Sequence, residues 1–163
     1  MIKEASVLDQ IDGLPVHALV LHAAVIFVPL LAAMAIVYAL ISRWRSRIGW
    51  ALVLLAIAAP LSALVAKLSG EKLFDRMKAQ GMSGPGVEIL NDHMGFGTRT
   101  FWFSLALGVV SLIMVFATLR RSASLPRAAD LGLGVVMIAL AAISGYYVLR
   151  TGDSGATAVW GSY

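Results

Sequence analysis

Over long stretches of this chain hydrophobic residues are not interrupted by polar ones at all, and nowhere do the two alternate residue by residue. Four apolar runs stand out, at 14–41, 48–68, 101–119 and 131–149. Each reaches the roughly 17–25 residues that a helix needs to cross a bilayer core. Without the two-residue alternation of an outer-membrane barrel, the runs predict helices rather than strands. Asp12 is placed to cap the first helix, and Pro15 is tolerated in its first turn, where no intrahelical donor is required. The 28 residues of the first run would extend about 42 Å against a hydrocarbon core of roughly 30 Å, so its first two turns are expected at the interface. Pro29 and Pro60 are expected to kink the first two spans.

Polar and glycine-rich positions punctuate this pattern. Ser69-Gly70-Glu71 is expected to close the second helix, and Thr151-Gly152-Asp153 the fourth, leaving a polar tail at 151–163. Between spans two and three, residues 71–80 place Leu73, Phe74 and Met77 at helical spacing among charges, which predicts a short amphipathic helix on the outer surface. Gly81-Met82-Ser83-Gly84-Pro85-Gly86 breaks it. The third helix is entered early, carrying His93, with Gly95 and Gly97 permitting close approach. The expected fold is all-α: one transmembrane domain, a four-helix bundle with helices at about 14–42, 48–69, 90–120 and 126–150.

Composition supports the membrane class. The 163 residues are 60% apolar and 13% charged, against roughly 25% charged in soluble domains, and the mean hydropathy is +0.85. The amino-terminal segment, with Lys3, Glu4, Asp9 and Asp12, lacks a small-residue cleavage site, so the first span is expected to be retained. The chain has no cysteine, which removes disulfides, thiolate metal sites, iron–sulfur clusters and covalent haem attachment. The net charge of +4 is spread among connections rather than gathered on a polar domain, so nucleic acid is not a partner. Arg43, Arg45 and Arg47 fill the first connection and Arg120, Arg121 and Arg127 the third. The positive-inside rule then puts both connections in the cytoplasm and both termini outside. Trp44 and Trp50 on the inner side, and Trp102, Tyr146, Tyr147 and Trp160 on the outer, read as interfacial belts. Lys67 is expected to snorkel.

The candidate chemistry lies at the outer end. His17 is 26 residues from Arg43, and His93 is 27 from Arg120. Helices that share a bilayer therefore hold these histidines at nearly one height. Counted in the same way, Glu71 and Asp153 join that layer, and the two halves of the chain read as a short repeat in which Ser69-Gly70-Glu71 answers Thr151-Gly152-Asp153. Parallel repeats of this kind build other membrane bundles. His17 and His93 would then face each other, with a carboxylate beside each, a geometry suited to a metal ion or a haem iron. His22, five residues beyond His17, is rotated by about 140° on the same helix, so only one of the two can point inward. Height favours His17; depth in the membrane favours His22.

The opening Gly13-Leu14-Pro15-Val16-His17-Ala18-Leu19-Val20-Leu21-His22, the single His93 leading the third span, and the closing Thr151-Gly152-Asp153-Ser154-Gly155-Ala156-Thr157-Ala158-Val159-Trp160-Gly161 together resemble the domain of unknown function 2231, a family of predicted four-helix bacterial membrane proteins. The resemblance covers nearly the whole chain. It implies a four-helix bundle in a bacterial membrane and no settled activity. One departure is that the closing motif here holds no histidine.

The expected function is thus a multi-pass protein of the bacterial inner membrane whose outer layer ligates a redox centre. Haem b comes first, through His93 and either His22 or His17, with Arg99 and Arg150 pairing with the propionates. A single transition-metal ion comes second, on His17, His22, His93, Glu71 and Asp153, with Met77, Met82 and Met94 as further donors for copper. Electrons would pass to or from a membrane or periplasmic partner, and the expected associations are the lipid bilayer with a membrane-protein partner or a homo-oligomer. The competing class is a cofactor-free accessory subunit of a membrane complex. The turn at 81–86 lacks the lysine and the strand-to-helix setting of a phosphate loop, and no Ser-His-Asp set has a context, so an enzyme acting alone is not expected. No chain of charges crosses the spans to suggest a transporter.

Overall fold

The computed structural model describes residues 10–11, 14–119 and 126–161. Arg120 and Arg121 of the third connection, and Asp12 at the expected first cap, lie outside the described residues. A two-residue antiparallel ladder, β1 (Gln10–Ile11) on β2 (Leu14–Pro15), leads into α1 (Val16–Leu40). A single 3-10 turn, Ser42–Trp44, connects to α2 (Arg45–Ala79), followed by α3 (Pro85–Leu119) and α4 (Arg127–Trp160). All four helices are long and apolar enough to cross a membrane. They run up and down in sequence order, each packed on its two neighbours, with α1 and α3 across a diagonal.

Inward-facing residues recur every three or four positions, as a helix with one buried stripe requires. Val28, Leu31, Ala35 and Tyr38 of α1 meet Leu52, Ala56, Ala59 and Ala63 of α2 in one core. Ile26, Leu54, Ile57, Ile113, Phe116 and Val135 face outward, where lipid replaces water and leaves no hydrophobic drive to bury them. Association then depends on close packing, which small residues allow. The tightest approach has a traceable cause. Pro60 has no N–H to give the carbonyl four residues back, so the Ala56 carbonyl is left without its helical partner. Gly108 of α3 sits on that carbonyl: a Cβ built there would stand 2.5 Å from the Ala56 oxygen. Only glycine fits, and its Cα–H supplies a weak donor.

Two helix ends differ from expectation. The outer segment at 71–80 is not a separate surface helix, since α2 runs through Ser69-Gly70 without a break. Glycine in a helix interior costs only about 1 kcal/mol, which packing offsets here. The actual stop is at Gly81, φ +95°. Met82 N donates to Met77 O and Gly81 N to Lys78 O, the paired bonds of a Schellman cap. Likewise α4 does not close at Thr151-Gly152-Asp153, and the polar tail expected from 151 continues the helix to Trp160.

At the opposite end from the histidines, Arg45 acts as a clip. Its Nε donates to Tyr38 O at 2.9 Å and Nη2 to Ala39 O at 3.1 Å, capping the last turn of α1. Nη1 and Nη2 donate to the Asp130 carboxylate at 2.6 and 3.3 Å, and Asp130 sits in the first turn of α4, where negative charge is favoured. The arginine side chain is 13% exposed and the aspartate 32%. Arg45→Ala strands the carboxylate and two carbonyls together. It is expected to lower unfolding stability by about 2–3 kcal/mol, below the range for fully buried pairs because Asp130 is partly solvated. Arg43→Ala, at an exposed position, is the control, and thermal unfolding in detergent reads both.

Candidate functional site

His17 is the second residue of α1, and its ring leans across to α2. Nδ1 is 2.9 Å from Ala66 O. A carbonyl only accepts, so Nδ1 is the donor in this bond. His93, in the third turn of α3, leans to α4 in the same way. Its Nδ1 donates to Thr151 O at 3.0 Å, with Ser154 Oγ at 3.2 Å. The two rings meet across the α1–α3 diagonal, with centroids 6.2 Å apart and planes at 90°.

Each ring rests on a glycine of the helix that holds its proton. A Cβ at Gly70 would stand 3.1 Å from His17 Cε1 and Nδ1, and one at Gly155 would stand 2.9 Å from His93 Cε1. The serine before each glycine bonds back to its own helix. Ser69 Oγ donates to Val65 O at 2.7 Å, with Ala66 O at 3.1 Å, and Ser154 Oγ donates to Thr151 O at 3.1 Å. Two equivalent half-sites result, each with an accepting carbonyl, a serine three residues on and a glycine four residues on. This corrects the register of the repeat by three residues, because Ser69-Gly70 answers Ser154-Gly155 and not Thr151-Gly152. Sequence reasoning passed over Ser154 and Gly155. Ser-Gly occurs four times in the chain, so the dipeptide alone does not single out these two.

The other expected participants stand elsewhere. His22 is exposed, with Nδ1 donating 3.0 Å to Ala18 O of its own helix; of the two candidates on α1, His17 turns inward. Glu71 is held by Lys67 at 2.6 Å, one helical turn away. Asp153 is 70% exposed and pairs with Arg150 at 3.4 Å. The guanidinium of Arg99 lies 6.0 Å from the Phe96 ring centroid and 5.8 Å from that of Tyr147. Arg150 lies 5.1 Å from Phe96. Cation–π contact and local ion pairs therefore occupy the charges expected around the histidines. Among the described residues no group of three or more histidine, aspartate or glutamate side chains gathers for a metal ion. The protein donors that converge are the two imidazoles. Below them Thr100 Oγ1 and Thr151 Oγ1 meet at 3.0 Å, tying α3 to α4 beneath the pair.

A family model described as predicted membrane protein (DUF2231) matches residues 13–162. No curated protein and no solved structure shows a significant match. The match takes in all four helices and both half-sites, and the chain belongs to that family.

Proposed function

We propose that this member of the DUF2231 family is an electron-transfer protein of the bacterial inner membrane, with His17 and His93 as the ligands of its redox centre. The observation that carries the proposal is the spacing of the rings together with the anchoring of both Nδ1 atoms. The rings stand 6.2 Å apart with planes at 90°, and with each Nδ1 bonded to a carbonyl, Nε2 is the atom of each ring that would hold a metal. Donation of Nδ1–H to a carbonyl fixes the tautomer, orients the ring and makes Nε2 a better ligand.

Haem b is the first candidate: His17 and His93 would hold its iron, in a bundle core of the kind that houses such cofactors. When bound, the haem supplies a one-electron couple. The chain's part is to hold both imidazoles fixed: carbonyls accept the Nδ1 protons, and glycine backbones support the rings. To pair with the propionates, Arg99 and Arg150 would exchange their contacts with Phe96, Tyr147 and Asp153 for the carboxylates. A bare iron, copper or zinc ion on the two nitrogens is the second candidate. Arg43, Arg47 and Arg127 at the other end favour the cytoplasm for that side, which puts the histidines toward the periplasm and a partner there.

The test is an optical spectrum and an elemental analysis of protein purified in detergent. A Soret band with about one iron per chain is expected. A stoichiometric metal without a Soret band supports the bare ion. Neither would sink the redox reading and leave a cofactor-free accessory subunit. His22→Ala is expected to leave the spectrum and the metal content unchanged, because its ring bonds only to its own helix.

A further inference from the structure

Hydroxyl groups in the core of this bundle follow a local rule. Ser62, Ser69, Thr100, Ser104, Thr118 and Thr151 each donate to a carbonyl three or four residues back on the same helix. Any serine in a helix has such a carbonyl within reach. Ser111 and Ser144 depart from the rule. Both are wholly buried, and their Oγ atoms have no hydrogen-bond partner among the described residues.

The two lie close together along the bundle. The Thr100–Thr151 contact and the stack of Phe103 on Tyr147 set the antiparallel register of α3 on α4. Counted from the threonines, Ser144 is level with Leu107, and Ser111 is one turn beyond, about 6 Å at 1.5 Å per residue. That level also holds the Ala56 carbonyl, freed by Pro60 and covered by Gly108. Three polar groups thus occupy one stretch of the interior: two hydroxyls without a hydrogen-bond partner among the described residues, which can donate or accept, and one carbonyl to which Pro60 cannot donate.

Leaving such groups dry is unfavourable, and a buried water with two to four polar partners is the usual solution. A cation is a poorer match, since three neutral oxygens fall short of the six or more that hard cations take. We propose that a water molecule is bound at mid-bundle, shared by Ser111 Oγ, Ser144 Oγ and the Ala56 carbonyl. It is a structural water and not a step in a path across the membrane. Met114 and Val115, both wholly buried, separate Ser111 from the Tyr38–Thr118 bond at the arginine end.

The sign of a stability change tests this. Ser111→Ala and Ser144→Ala, made singly and together in the full chain, are followed by thermal unfolding in detergent. If the hydroxyls hold a water, each single variant unfolds lower, by on the order of 2–4 °C. The double variant falls by less than the two shifts combined, since one water is lost only once. Alanine is the better helix former, so a fall cannot come from the backbone. An unchanged or raised midpoint in the single variants would mean a dry core and overturn the proposal. Strictly additive shifts would overturn the shared site. Neither outcome bears on the histidine pair, which lies at the other end of α3.

Discussion

Gly108→Ala is expected to lower the stability of the bundle by about 2–3 kcal/mol, within the range for overpacked cores, and the unfolding midpoint by roughly 5–10 °C. The new methyl would stand 2.5 Å from the Ala56 oxygen and 3.4 Å from its carbonyl carbon. Nothing there can rotate out of the way, because the obstacle is backbone. The carbonyl is fixed by α2 on both sides of Pro60, so relief requires α2 and α3 to separate along the whole seam that includes Ala59, Ala63 and Ser104. Gly132→Ala is the control: nothing lies within 4 Å of that position, and the higher helix propensity of alanine makes the change neutral or mildly stabilising. Equal midpoints for the two variants would show that the α2–α3 contact is looser than the geometry requires.

Gly155→Ala is expected to act on the site and spare the fold. The added methyl would stand 2.9 Å from His93 Cε1, and the obstacle is a side chain that can swing aside. Swinging aside breaks the Nδ1 bond to Thr151 O and moves Nε2 away from the partner ring. Loss of such a supporting contact is expected to weaken binding of the centre by about 10–100-fold, with an unfolding midpoint near that of the parent chain. Gly70→Ala repeats the effect through His17, more weakly, since its closest approach is 3.1 Å. His93→Ala and His17→Ala remove a ligand outright and are expected to abolish binding. Titration of the purified variants with haem, or with the metal found in the parent, decides the matter. Binding that survives Gly155→Ala and His93→Ala alike would place the centre elsewhere.

The four spans were legible because uninterrupted apolar length is set by the bilayer and needs no tertiary information. Counting from the arginines also placed His17 and His93 at one height, since 26 and 27 residues of helix rise equally. What counting could not give was rotation. Glu71 shared the height, but its neighbour Lys67 lies on the same helix face and holds it there, and Arg150 does the same for Asp153. The helix ends were misread for a related reason. Gly70 and Gly152 look like stops because glycine is common just past a helix, whereas Gly70 serves as the seat of a ring contributed by another helix. Arg45 read as a topology signal, and its hold on Asp130 spans 85 positions of sequence, beyond the reach of local pattern.

The helices differ in length: α1 has 25 residues, while α2, α3 and α4 have 35, 35 and 34. Because α1 begins at the level of Gly70, α2 rises nine residues above the histidine layer, about 13 Å, and α3 and α4 rise beside it. The histidine pair therefore lies below the upper ends of α2, α3 and α4, while on the fourth side the β1–β2 ladder leads into the start of α1. A docking protein that reached for the pair would meet the upper turns of those three helices first. Recognition at this end is thereby a matter for helix ends, and only behind them for the rings.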